Sequence, residues 1–210
     1  MIRVVLADDH QVVRAGIRRL LEDVGDIEVQ AEASSGEEFQ ELYFKHKPDV
    51  GITDLSMPGI GGLESIRRIL VKDPSARLLV LSVHEDVAFP MRVIKIGALG
   101  YLSKRTAADA LLRGVRTVAQ GETFLEREIA QKIALNSLGG ADDPLGGLTD
   151  REFEVFRMLA EGKSVNDVAK SLFLSAKTVG TYQTRILQKT GADNTAALVR
   201  LAIRKGVIEP

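Results

Sequence analysis

The 210 residues predict an α/β fold, a doubly wound five-stranded parallel sheet, followed by a second, smaller all-α domain. From Met1 to about residue 120, short β-branched or leucine-rich runs alternate with amphipathic stretches, whereas after Gly121 the strand signals stop and only helical periodicity continues. Charge divides the chain as well. Residues 1–147 carry 18 Lys and Arg against 22 Asp and Glu, net −4, while residues 148–210 carry 10 against 7, net +3. The expected organisation is a sheet domain over 1–121, an extra helix and linker over 122–147, and a helical domain over 148–210.

Taken in order, residues 2–7, 27–33, 50–53, 78–82 and 100–102 read as strands. Amphipathic helices lie between and after them near 11–24, 36–45, 62–72, 87–97 and 107–120, with Ser35 and Thr106 at N-cap positions. Regular alternation requires right-handed crossovers, and these lay helices over both faces of a parallel sheet. Residues 126–135 form one further helix. Residues 136–147, NSLGGADDPLGG, have the composition of a flexible linker. Helices then follow at 150–161, 165–172, 176–190 and 194–205, punctuated by Gly162, Ser175 and Gly191.

Apolar residues make up 45% and charged residues 27%, enough to build packed cores and far from a disordered chain. Cysteine is absent, which excludes a disulfide framework, a thiolate zinc site and a cysteine nucleophile. No apolar run approaches the roughly 20 residues that cross a bilayer, and the amino terminus lacks the basic start of a signal peptide. A cytoplasmic protein without membrane partners is expected.

In such a sheet, functional groups collect at the carboxyl ends of strands. Asp8 and Asp9 end the first strand, Asp54 the third and Ser82 the fourth, and Lys104 follows the fifth. Converging carboxylates repel unless a cation joins them, and hard oxygen donors favour Mg²⁺ over zinc. Asp8 and Asp9 can hold the ion while Asp54 attacks a phosphoryl group. The Lys104 ammonium and the Ser82 hydroxyl then neutralise the phosphoryl oxygens. Singly, the Asp8-Asp9 pair reads as a helix cap and Lys104 as a solvated charge; the set at matching strand ends is what points to a site. His10 reads as a neighbour of the pair rather than a ligand, and His84 as a surface histidine.

The stretch 168–192 contains Lys170, Lys177, Arg185 and Lys189 and no acid, the kind of basic face that contacts phosphates. Charge alone leaves a solvated helix face equally open. Two short helices flank a tight turn at 173–175, and the later one is basic. That is the helix-turn-helix plan, whose second helix enters the major groove of double-stranded DNA. Apolar residues of the last helix serve the core and offer a homodimer contact, as paired half-sites would require.

The motifs L-A-D-D-H at 6–10, D-L-S-M-P-G at 54–59, Ser82 and Y-L-S-K at 101–104 together resemble the bacterial receiver domains, over residues 1 to about 120. The resemblance implies a flavodoxin-like sheet of order 2-1-3-4-5 and a phosphoryl group received on Asp54 from a sensor histidine kinase. It further implies Mg²⁺ held by Asp8, Asp9, Asp54 and the Ser56 backbone carbonyl, phosphoryl binding by Lys104 and Ser82, and a Tyr101 ring that turns inward as Ser82 moves. Residues 148–207 resemble the LuxR-type helix-turn-helix of the NarL/FixJ family, and L-E-R-E-I-A at 125–130 with H-E-D at 84–86 looks most like its GacA/UvrY branch.

By that resemblance, Lys177 and Arg185 contact phosphates and Gly180, Thr181 and Thr184 face base edges, with Thr178 and Lys189 completing the DNA-binding set. Gly180 and Thr184 stand where relatives often carry long polar residues, and neither reproduces a bidentate base contact. The implied function is a transcriptional response regulator, not an enzyme, whose phosphorylation shifts dimerisation and DNA binding. An aspartyl-phosphate enzyme and a receiver with an RNA- or protein-binding output are the rival readings; retardation of duplex DNA that weakens steeply with salt separates them.

Overall fold

The computed structural model describes residues 1–83, 88–105, 108–137 and 144–208. Thr106 as a cap, His84 and much of the expected linker lie outside them. The chain divides into two compact units, one running to Ile133 and the other starting at Ala134.

The first unit is built on strands β1 (Ile2–Ala7), β2 (Ile27–Ala33), β3 (Val50–Thr53), β4 (Leu78–Ser82), β5 (Gly100–Ser103) and β6 (Phe124–Leu125). All pairings are parallel, in the order β2-β1-β3-β4-β5-β6. The expected order holds, but a sixth strand extends it beyond β5. Phe124 N–H donates to the Leu99 carbonyl (2.8 Å), and Phe124 and Leu125 pair with Gly100 and Tyr101. Two residues between polar neighbours carry no measurable period of two, so alternation could not reveal β6.

Helices α1 (Gln11–Glu22), α2 (Gly36–His46), α3 (Gly61–Lys72), α4 (Ala88–Ile96) and α5 (Ala108–Ala119) connect the strands, and α6 (Arg127–Ser137) follows β6. The strands are continuous apolar runs because both faces are covered: every residue of β3, β4 and β5 is buried. Leu21 of α1 and Leu111, Val115 and Val118 of α5 pack with alternate strand residues such as Leu6, Ile52 and Leu81. Phe39 and Tyr43 of α2 lie on the other face against Gly51. A Cβ there would stand 2.8 Å from Leu78 Cδ2 and 3.0 Å from the Phe39 ring, so glycine mid-strand is a packing requirement. Ser35 caps α2 as expected, accepting the Glu38 N–H at 3.2 Å.

The second unit comprises α7 (Asp150–Ala160), α8 (Val165–Ser171), α9 (Ala176–Thr190) and α10 (Thr195–Arg204). Each starts on a side-chain cap, from Thr149, Ser164, Ser175 and Asn194 respectively. Such caps contribute about 1 kcal/mol each, which matters for helices too short to persist alone. Phe153 and Phe156 of α7, Val179 and Ile186 of α9, and Leu198 of α10 form the buried centre. α7 packs on α9 and α10, and α8 on α9.

Candidate functional site

The groups of the acidic pocket sit where strands stop. Asp8 N–H donates to the Ala33 carbonyl (3.1 Å) and Asp54 N–H to the Ala7 carbonyl (2.9 Å). The ladder therefore runs one residue past the strands and carries both acids off the same end of the sheet. Lys104 N–H donates to the Ser82 carbonyl (2.8 Å) and enters from the other side. Its ammonium lies 2.7 Å from Asp8 Oδ2 and 2.7 Å from Asp54 Oδ2, and both carboxylates are buried.

One cation shared by two buried carboxylates does not neutralise them. Burial pushes the Asp54 carboxyl above its usual range, with Lys104 pulling against it and Asp8 adding to the rise. Burial also works to lower the Lys104 ammonium, but the attraction of Asp54 and Asp8 prevails and raises it. Asp54 Oδ1 is buried without a hydrogen-bond partner among the described residues. A buried anionic oxygen in a pocket of excess negative charge, lined by hard donors, fits a divalent ion such as Mg²⁺, which Asp8, Asp9 and Asp54 would hold. Carboxylate oxygens of these three and a ring nitrogen of His10 all lie within 4.8 Å of one another.

The loop after Asp54 is fixed by close approach. Gly59 and Gly61 adopt positive φ (79° and 76°), and a Cβ on Gly62 would stand 1.9 Å from the Asp54 carbonyl oxygen. Only glycine lets α3 begin against the backbone of the site. Ser56 lies in this loop, exposed. Ser82 and Tyr101 are fully buried, and Tyr101 pairs with Val80, two residues before Ser82, so the two side chains share a face of the sheet.

Three supporting residues escaped the sequence reading. Arg14 donates to the Asp8 carbonyl and to Glu32 Oε2 (2.8 Å), bracing the turn into α1. Glu126 Oε2 accepts the Ser103 N–H (3.2 Å) next to Lys104, and Gly62 provides the clearance beside Asp54. Of these, Gly62 left a trace, since a Gly-Gly pair at a helix entry asks for a packing reason.

In the second unit, Lys177, Thr181, Thr184 and Arg185 are exposed and recur at i, i+4, i+7 and i+8 along α9, opposite the buried Val179 and Ile186. No acid lies within ion-pair distance of Lys177 or Arg185 among the described residues. The hydroxyls of Thr181 and Thr184 donate back to the carbonyls of Lys177 (3.0 Å) and Gly180 (3.1 Å). A Cβ on Gly180 would meet nothing within 4 Å. Two expected members of the set are engaged inside the unit. Thr178 pairs with the capping Ser175 hydroxyl (2.8 Å), and the Lys189 ammonium lies 2.6 Å from Glu152 Oε2.

Residues 4–116 match the family model of the response regulator receiver domain, and residues 147–202 that of the bacterial regulatory proteins of the luxR family. The response regulator UvrY of Escherichia coli is 39% identical over 209 residues, covering 99% of this chain and 96% of that protein. The response regulator GacA of Pseudomonas aeruginosa is 37% identical over 211 residues, covering 100% and 99%. Among solved structures, RcsB of Salmonella enterica serovar Typhimurium, bound to promoter DNA in the presence of the phosphomimetic BeF3−, matches with a TM-score of 0.67 at 31% identity, covering 95% of this chain and 96% of that one. A LuxR-family two-component response regulator from Aurantimonas matches with a TM-score of 0.63 at 36% identity, covering 66% and 99%.

Proposed function

Because the chain belongs to the response regulators that join a receiver domain to a LuxR-type DNA-binding domain, we propose that Asp54 is its phosphoacceptor and α9 the helix that enters the major groove. The observation that carries the first half is the Lys104 ammonium spanning Asp8 and Asp54 while Asp54 Oδ1 is buried without a hydrogen-bond partner among the described residues. An Asp54 carboxylate oxygen attacks phosphorus. The P–O bond forms as the P–N bond of a sensor kinase phosphohistidine breaks, and the electron pair leaves with the kinase imidazole. Lys104 binds the phosphoryl oxygens, and the hydroxyl of Ser82, at the carboxyl end of β4, donates a hydrogen bond to one of them. Mg²⁺, held by Asp8, Asp9, Asp54 and the Ser56 carbonyl, supplies further charge neutralisation when bound.

Phosphorylation adds negative charge beside Ser82 and Tyr101, and these two form the element whose alternative positions the new charge biases. The output unit, residues 148–210, uses Lys177 and Arg185 on phosphates and Gly180, Thr181 and Thr184 toward base edges. Two copies read paired half-sites in cytoplasmic DNA. The family membership and the acid-free outer face of α9 support this reading, as does RcsB, a relative whose structure contains promoter DNA. Residues 1–121 act as the receiver, and residues 122–147 join the two.

The test is labelling of the full chain with a small acyl-phosphate and Mg²⁺, followed by intact-mass measurement. One added phosphoryl group per chain, absent from Asp54→Ala, is expected. Undiminished labelling of that variant would remove Asp54 from the role.

A further inference from the structure

We propose that α9 recognises its operator through thymine methyl groups, with Thr181 and Thr184 as the specificity-determining residues and Gly180 as the gap that lets a base edge come close. The proposal rests on the reading of α9 as the major-groove helix and deepens it by naming what that helix recognises.

Every base pair presents hydrogen-bonding groups to the major groove, and thymine adds an apolar C5-methyl. Which of these a side chain can read depends on the donors it has left. A threonine hydroxyl has one proton. In Thr181 that proton is committed to the Lys177 carbonyl (3.0 Å), and in Thr184 to the Gly180 carbonyl (3.1 Å). Neither hydroxyl can then donate to guanine O6 or N7 or to thymine O4. Both residues are exposed, and the stiff β-branched side chain leaves its γ-methyl as the free apolar end. Thr178 is engaged with the Ser175 hydroxyl (2.8 Å), and the half-buried Gln183 donates to Thr195 (3.1 Å). Lys177 and Arg185 are the charged donors of the exposed face, and they go to phosphates. Between them that face offers two methyl groups to a base and no long donor.

Gly180 supports the same reading independently. A glycine inside a helix weakens it relative to alanine, so its presence asks for a reason. The backbone gives none, because Gly180 lies within α9 and is not among the glycines of positive φ. Packing gives none either, because a Cβ there would meet nothing within 4 Å. What the glycine does is clear one flank of the helix, one residue before Thr181 and one turn before Thr184. A base-pair edge can reach the two methyl groups without striking a side chain at position 180. The demand for glycine thus comes from outside the protein, from a surface that approaches this flank closely.

The experiment uses the full-length chain treated with a small acyl-phosphate and Mg²⁺. Duplexes retained from a random-sequence pool are identified, and each thymine of the retained sequence is replaced in turn by deoxyuridine, which lacks only the C5-methyl. At one or two thymines per half-site, affinity should fall about fourfold, the contribution of one buried methyl group. Thr184→Ser keeps the hydroxyl and loses the methyl, and should show that fall on the thymine duplex with no further fall on uracil. Thr184→Val makes the reverse exchange, and should bind as the wild type does and remain sensitive to uracil. Gly180→Ala should melt no lower than the wild type yet bind the retained sequence about tenfold more weakly, the scale of one mismatched base pair. If uracil is tolerated at every thymine, or if Thr184→Ser binds normally while Thr184→Val does not, methyl contact is not what selects the sequence and the inference falls alone. If no duplex is retained, or if binding is indifferent to Lys177→Ala and Arg185→Ala, the inference falls together with the reading of α9 on which it rests.

Discussion

Lys189 Nζ lies 2.6 Å from Glu152 Oε2, an ion pair that fastens the last turn of α9 to the first turn of α7. The same carboxylate accepts the Thr149 N–H at 2.8 Å and so closes the capping box of α7. Burial would raise the Glu152 pKa, but the Lys189 and Thr149 donors outweigh it and hold the carboxyl below its usual range. One acid therefore starts a helix and anchors the proposed recognition helix.

Glu152→Gln should destabilise the second unit at neutral pH by about 1–2 kcal/mol, a figure held down by the half-exposed lysine. Because the folded-state pKa is depressed, the contribution is complete above the ordinary glutamate value of 4.5. It disappears as pH falls through the folded value. Denaturant unfolding of wild type and variant at pH 7 and near pH 3 checks this. The gap between the two proteins should close in acid, and a gap independent of pH would contradict the assignment.

Two glycines should respond in opposite directions to alanine. At Gly62 the added Cβ would fall 1.9 Å from the Asp54 carbonyl oxygen and 2.7 Å from Leu55 Cα, both backbone atoms that cannot rotate away. Overpacking of this kind costs about 3 kcal/mol or more. At Gly180 nothing lies within 4 Å, and α9 gains up to about 1 kcal/mol of helix propensity. Calorimetric melting of the two variants should show the first lowered and the second unchanged or raised.

The contrast between these glycines marks what the sequence conveys and what it does not. Strand runs of Val, Ile and Leu, and capping residues such as Ser35, Thr149 and Ser175, act over a few neighbouring positions, so their periodicity and spacing are visible in one dimension. The positions of Asp8, Asp54 and Lys104 were legible for the same reason, because each directly follows a strand. Contacts set by distant chain segments were not. The two-residue β6 exists because the Leu99 carbonyl is available to Phe124, and Lys189 appears as a basic surface residue until α7 brings Glu152 beneath it. Arg14 reads as one arginine among several on α1 until β2 supplies Glu32.

Removing Lys104 should leave Asp8 and Asp54 buried without their shared counter-ion. Lys104→Ala is expected to lose about 3 kcal/mol of stability, or less to the extent that a carboxyl takes up a proton. A few millimolar Mg²⁺ should then raise the melting temperature of the variant more than that of the wild type, since the ion replaces missing positive charge. Equal gains in both proteins would mean that Lys104 does not neutralise these carboxylates.

The basic residues of α9 should separate into two kinds when DNA binding is measured against salt. Each phosphate contact neutralised contributes about 0.9 to the slope of log K against log salt. Lys177→Ala and Arg185→Ala should each flatten that slope by about 1 without lowering the melting temperature, because their side chains are exposed and bear no internal load. Lys189→Ala should do the reverse. Its ammonium is held on a buried carboxylate, so the variant should melt earlier while keeping the salt slope of the wild type. Titrations of labelled duplex between low and moderate salt, paired with melting curves, distinguish the two kinds. A Lys189 variant that loses slope but not stability would return that residue to the DNA-contacting face.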